Sequence, residues 1–233
     1  MSEPMQAAPA KKLELSPSIA ILVSGVLIAG AIIFVNLHPA ATVAADPQQL
    51  PTASVPAPKA DEHIIGSATA PIVLVEYSDF QCPYCHLIYP TLKQIVSESN
   101  GQIAWVMRNY PLTSIHPQAK PAALAAECIA EQLGNDAYWK YADTIFANQD
   151  KLSPAYYAEV AKGLGVNEAT FNSCVSSEKY ASLLDQESRE AEASGGNGTP
   201  FTVVVGKKVQ APVSGALPYA QIMAVINAVK ARQ

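Results

Sequence analysis

Cysteine is scarce in this chain: four among 233 residues, too few for a domain held together by a disulfide framework. Basic charge is scarce as well. Fifteen Lys and Arg against twenty Asp and Glu leave a formal net charge of −5, which argues against nucleic acid as a partner. A phosphate-cradling loop is missing, because Ser194-Gly195-Gly196-Asn197-Gly198 precedes a β-branched run instead of following one and has no Lys-Ser/Thr ending. A second Cys-x-x-Cys is missing too, so the ligand set of a zinc knuckle is incomplete, and neither a metal nor another cofactor is expected. What is plentiful is apolar: 49% of residues are hydrophobic, enough for the core of one domain with extensions.

The stretch that organises the chain is Ser78-Asp79-Phe80-Gln81-Cys82-Pro83-Tyr84-Cys85. Ile72-Val73-Leu74-Val75-Glu76-Tyr77 before it reads as a buried strand, and after Pro83 the apolar residues Leu87, Ile88, Leu92, Ile95 and Val96 fall at helical spacing. The first cysteine therefore lies at a helix N-terminus, where unpaired backbone N–H groups and the helix dipole favour a thiolate. Pro83 starts the first turn without losing a hydrogen bond. One turn further on, Cys85 is placed to close a disulfide, which makes Cys82 the nucleophile and Cys85 the resolving thiol. Two other readings compete. Cys82 to His86 also spells the c-type haem attachment pattern, and a Cys-x-x-Cys can be a purely structural disulfide. A strand feeding straight into a packed helix leaves no place for haem, and the redox dithiol is the favoured reading.

Taken in order, residues 1–18 form a polar N-terminal tail with Lys11 and Lys12 near its end. Ile19 to Leu37 then runs without a charge and would span about 28 Å as a helix, close to the hydrocarbon thickness of a bilayer. A cleaved signal peptide ending at Val43-Ala44-Ala45 is the competing reading, but the apolar run is long for one and ends well before that site. An uncleaved anchor is expected, with the N-terminus in the cytoplasm by the position of the lysine pair and the rest of the chain outside. Residues 38–62 carry five prolines, many alanines and no aromatic residue, and read as a flexible linker. The folded domain is expected over 63–233. It opens with a short edge strand at His63-Ile64-Ile65, the central strand at 72–77 and its helix to about Ser99. A parallel strand follows at Ile103–Arg108. Four or five short helices are expected within about 116–193, then a hairpin of Phe201–Val205 with Val209–Val213, and a last helix from Pro218 to Arg232. That order is an α/β thioredoxin fold with an all-α helical insertion, preceded by one transmembrane helix.

Val75-Glu76-Tyr77-Ser78-Asp79-Phe80-Gln81-Cys82-Pro83-Tyr84-Cys85, His116-Pro117, Gly198-Thr199-Pro200-Phe201 and Gly215-Ala216-Leu217-Pro218-Tyr219 together resemble the DsbA-like thiol oxidoreductases. The resemblance covers roughly residues 62–233. It implies Cys82 and Cys85 as the redox-active pair around Pro83-Tyr84, and Pro200 as a proline held in cis beside them. It also implies the Thr199 carbonyl as a contact for an extended substrate, and Glu76 as a buried carboxylate serving the proton of the resolving cysteine. A solvated edge residue is the less favoured reading of Glu76, since an acid inside an apolar strand run is costly without a task. In better-known members a histidine lies between the cysteines; here the pair is Pro83-Tyr84, and His86 is read as a surface helix residue. With Cys82 and Cys85 paired, Cys128 and Cys174 are left either as a structural disulfide, which some family members carry, or as two free buried thiols. Tyr138, Trp139, Tyr141, Phe146, Tyr156 and Tyr157 read as the core of the helical insertion in preference to a peptide groove. The function implied is extracytoplasmic disulfide donation to reduced protein substrates, on the outer side of a bacterial cytoplasmic membrane. A quinone-linked membrane thiol oxidase would reoxidise the pair. A reductase or isomerase, or a non-catalytic redox-sensitive peptide-binding domain, are the alternatives.

Overall fold

The computed structural model describes residues 50–59 and 61–233. The expected tail 1–18, the membrane helix 19–37 and most of the linker lie outside these residues, and among the described residues no helix is long and apolar enough to cross a membrane.

Five strands form one mixed sheet: β1 (Ile64–Ile65), β2 (Ile72–Ser78), β3 (Ile103–Asn109), β4 (Phe201–Val205) and β5 (Gln210–Ser214), in the order β1-β3-β2-β4-β5. β2 and β3 are parallel and every other pair is antiparallel. The parallel pair is joined by helix α1 (Pro83–Glu98), which is what a strand–helix–strand order demands. All seven residues of β2 are buried, so the strand needs apolar side chains on both faces. Its alternation sorts them: Ile72 and Leu74 join the core under α1, whereas Val73, Val75 and Tyr77 join a second core on the opposite face. Among the described residues, five helices separate β3 from β4: α2 (Ala119–Leu133), α3 (Asn135–Ala147), α4 (Pro154–Leu164), α5 (Glu168–Ser176) and α6 (Ala181–Ala193). The Ser153 hydroxyl accepts from the Tyr156 N–H ahead of Pro154, and the Asn167 side chain accepts from the Thr170 N–H. Gly165 ends α4 at φ 97°, a left-handed conformation that favours glycine. The last helix, α7 (Tyr219–Lys230), packs beside α1 with Ile222, Ile226 and Val229 buried.

One expectation is corrected. Residues 50–59, assigned to a flexible linker, are laid along the domain. Leu50 and Val55 are buried, Val55 against Val73, Val75, Tyr77 and Phe201 on the second sheet face. The backbone of this strap is satisfied from the domain. Ala53 N–H donates to the Gln210 carbonyl at 3.3 Å, Val55 exchanges two hydrogen bonds with the Gln210 side chain, and the Ser54 carbonyl accepts from the Ser194 hydroxyl at 2.7 Å. Arg108, itself buried, grips the Pro56 carbonyl and the Glu62 carboxylate. Composition misleads here because a segment that cannot build its own core still orders when a preformed sheet face offers one apolar site and partners for its amides.

Candidate active site

Cys82 is the residue before the first turn of α1, at φ −69° and ψ 122°, and Pro83 occupies the first turn. Both thiols are free and both side chains are buried, while Pro83 and Tyr84 between them are exposed, Tyr84 to 60%. The Cys82 thiol donates to the Thr199 carbonyl at 3.4 Å, and the Asp79 N–H donates to Cys85 Sγ at 3.4 Å. The Thr199–Pro200 peptide bond is cis. Its loop is tied back by the Gly215 N–H, which donates to the Pro200 carbonyl at 2.9 Å.

The two sulfurs are driven apart electrostatically. A hydrogen bond from the Cys85 thiol, helped by Thr199 and the N–H groups of Cys85 and Tyr84, lowers the Cys82 pKa to about 6 against the opposing effect of burial. Burial first, then the neighbouring Cys82 and the charge of Glu76, raises Cys85 well above the ordinary thiol range. An acidic outer sulfur and a basic inner one is the division of labour that a nucleophile and a resolving thiol require.

Glu76 is completely buried, opposite Thr202 in the β2–β4 pair, and is no solvated edge residue. Among the described residues neither of its carboxylate oxygens has a hydrogen-bond partner. Burial pushes its pKa up to about 8, with the nearby polar groups of Ser78 and Trp105 offsetting only part. It therefore holds its proton at neutral pH, and it is near enough to the resolving cysteine for its charge, once formed, to raise the Cys85 thiol. His86 stays on the exposed side of α1 and bonds through Nδ1 to the Phe146 carbonyl at 2.7 Å, away from the sulfurs. Cys128 and Cys174 are joined in a disulfide between α2 and α5, with Cα atoms 5.9 Å apart. Tyr138, Trp139, Tyr141, Phe146 and Tyr157 are buried in the insertion, and Tyr156 packs against the same core.

Three residues beside the dithiol escape a reading based on motifs alone. The buried Asp79 carboxylate accepts from Gln81 N–H at 2.7 Å, Cys82 N–H at 3.1 Å, Leu112 N–H at 2.9 Å and His116 Nδ1 at 2.8 Å. Gln149 Nε2 donates to the carbonyls of Phe80 and Cys82. Asp79 and His116 sit in stretches that the resemblance already marks, so the signal is there without a role attached. Gln149 lies in no such stretch.

The outer cysteine at a helix start, the cis-proline loop facing it and the helical insertion above define a DsbA-like member of the thioredoxin superfamily, a class of thiol:disulfide oxidoreductases. The thioredoxin family model matches residues 59–228, and the chain belongs to that family. DsbA2 of Pseudomonas aeruginosa superposes with a TM-score of 0.62 at 25% identity, over 73% of this chain and 94% of that one. BdbD of Bacillus subtilis gives a TM-score of 0.65 at 19% identity, over 78% and 100%, and shares the fold. Among curated relatives, the Na(+)/H(+) antiporter NhaA 3 of Salinispora tropica is 32% identical over 178 residues, which are 76% of this chain and 27% of that protein. NhaA 1 of Mycolicibacterium gilvum is 31% identical over 157 residues, or 66% and 25%. The chain thus spans about a quarter of the length of the curated relatives it matches, and their transport activity is a statement about those proteins.

Proposed function

We propose that this protein is an extracytoplasmic thiol:disulfide oxidase that donates its Cys82–Cys85 disulfide to reduced protein substrates. The observation that carries the reading is the placement of the pair: Cys82 lies at the N-terminus of α1 against the Thr199 carbonyl of the cis-proline loop, with Cys85 buried behind it. The helix start and its hydrogen bonds favour the Cys82 thiolate, and favouring that thiolate stabilises the reduced pair and makes the disulfide more oxidising.

In the first step a substrate thiolate attacks Cys82 Sγ. The Cys82–Cys85 bond breaks, its electron pair leaves on Cys85, and a substrate–Cys82 mixed disulfide forms. The Cys85 thiolate is strongly basic in its buried site, and protonated Glu76 is the acid beside it that supplies the proton. A second substrate thiolate then attacks the substrate sulfur of the mixed disulfide and expels Cys82 as a thiolate. The substrate has lost two electrons and gained a disulfide; the Cys82–Cys85 pair has gained two electrons. The Thr199 carbonyl, one hydrogen bond from Cys82, is placed to accept from the backbone of an extended substrate segment. The exposed Tyr84, at 60%, and Leu87, at 58%, offer apolar contact on the helix that carries the nucleophile.

A quinone-linked membrane thiol oxidase is the proposed electron acceptor that restores the disulfide. The uncharged run at 19–37 is the proposed anchor in a bacterial cytoplasmic membrane, with residues 1–18 in the cytoplasm and the domain on the outer side.

The test is the equilibrium reduction potential of the full chain in glutathione buffers. A value toward the oxidising end, around −120 mV, supports disulfide donation, and one near −270 mV makes the protein a reductase and ends the oxidase reading.

A further inference from the structure

Only three residues, Asp79-Phe80-Gln81, connect the end of β2 to the nucleophile, and the helical insertion holds this loop from outside. The Phe80 side chain is buried among Tyr138, Tyr141 and Phe146 of α3, with ring centroids 6.4, 5.7 and 5.2 Å away. Directly after α3 the chain makes a short 3₁₀ turn, Gln149–Lys151. From it the Gln149 side chain reaches back in sequence and donates through Nε2 to two carbonyls, Phe80 at 2.9 Å across 69 residues and Cys82 at 3.0 Å across 67. The Cys82 N–H is held on its other side by Asp79, through Oδ1 at 3.1 Å and the backbone carbonyl at 3.0 Å. The nucleophile's peptide groups are therefore gripped at both ends, one end by the insertion.

We propose that Gln149 is a positioning residue for the dithiol: its amide fixes the Phe80–Cys82 backbone so that the Cys82 sulfur stays aimed at the groups that hold it as a thiolate. The inference rests on the thiol-exchange reading above, because it concerns the sulfur which that reading makes the nucleophile. The physical link is directional. The N–H groups of Tyr84 and Cys85 and the Cys85 thiol are fixed by α1, and hydrogen bonds weaken steeply once donor and acceptor fall out of line. A Cys82 backbone free to tilt spends part of its time without them. Losing Gln149 also strips the Phe80 carbonyl of its side-chain donor and leaves the Cys82 carbonyl with the His86 N–H of α1, at 3.2 Å, so the Phe80 end of the loop is drawn toward water. The insertion on this view does more than cover the dithiol: through one side chain it tunes the dithiol's chemistry.

The test compares the full-length protein with Gln149→Met, which keeps volume and removes the donor, and with Gln94→Met as control. Gln94 lies on the exposed side of α1, and its side chain bonds to Glu98 one turn on. The readouts are thiolate absorbance against pH, the glutathione equilibrium constant and the unfolding midpoint. In Gln149→Met the Cys82 titration is expected to rise by about one pH unit. The equilibrium constant for reduction at neutral pH should fall about fivefold, equivalent to a potential about 20 mV more negative. Gln94→Met should titrate as wild type. If Gln149→Met does not fold, Gln149→Ser replaces it with the same expected shift, since water fits where the longer side chain was. A folded Gln149 variant that loses stability but keeps the wild-type titration and equilibrium constant overturns the proposal. A wild-type potential near −270 mV instead overturns the oxidase reading, and the difference between wild type and variant still decides the role of Gln149.

Discussion

Glu76→Gln is expected to make the reduced protein more stable at neutral pH while impairing turnover. The carboxyl is completely buried without a hydrogen-bond partner among the described residues, and its pKa is raised to about 8 by burial. In the unfolded chain the same group titrates near 4.5. Between those values the folded state binds the proton and the unfolded state releases it, so stability falls as pH rises. The loss begins above the unfolded pKa and saturates above the folded one. Integrated from the two pKa values, the cost is below about 1 kcal/mol at pH 5 and about 3 kcal/mol at pH 7. Glutamine has the same shape and no titration, so it removes this term. Glu187, also raised to about 8 by burial and then by the charge of Glu127, titrates in both proteins and cancels from the difference between them, which contains Glu76 together with its coupling to Cys82. Urea unfolding of the reduced protein at pH 5 and pH 7, with and without the substitution, measures it. The reasoning is refuted if Glu76→Gln gives the same stability change at both pH values, or destabilises at pH 7. Oxidation of a model dithiol peptide should slow, because Cys85 loses the nearby acid that protonates it as it leaves.

Cys128→Ala with Cys174→Ala removes a cross-link that closes a 46-residue separation between α2 and α5. The chain-entropy model puts the loss at up to about 4 kcal/mol, and calorimetry should show a lower unfolding temperature with the reduction potential of Cys82–Cys85 unchanged. The alkylation rate of reduced Cys82 should follow its thiolate, rising with a midpoint near pH 6 and levelling above it, whereas Cys85 should stay unreactive in the folded protein across that range. A Cys82 midpoint near that of an ordinary thiol would contradict the hydrogen-bonded thiolate.

The sheet and its order are legible because their causes are local. Ile72–Tyr77 is a continuous apolar run that suits a strand covered on both faces, and Pro83 followed by helically spaced apolar residues announces α1. The dithiol is legible for the same reason, since Cys82 and Cys85 are neighbours in sequence and their placement needs only a strand and a helix. The strap is different. Nothing within residues 50–59 says that Val55 has a sheet face to cover or that Gln210 will pair with its backbone. Glu76 is intermediate: its position in an apolar run is visible, but its complete burial depends on Thr202 and Trp105 arriving from other strands.

The sequence by itself points to Cys82 and Cys85 as the candidate reacting pair. A Cys-x-x-Cys at a strand-to-helix junction carries its own electrostatics, because the helix terminus beside Cys82 is made by the next few residues. Only the tertiary structure decides how strongly they react. The cis Thr199–Pro200 loop arrives from 117 residues away, the Asp79 carboxylate meets His116 across 37, and Gln149 reaches Cys82 across 67. Each of these contacts depends on distance and angle between groups that share no local pattern, and hydrogen bonds and pKa shifts are set by that geometry once water has been excluded.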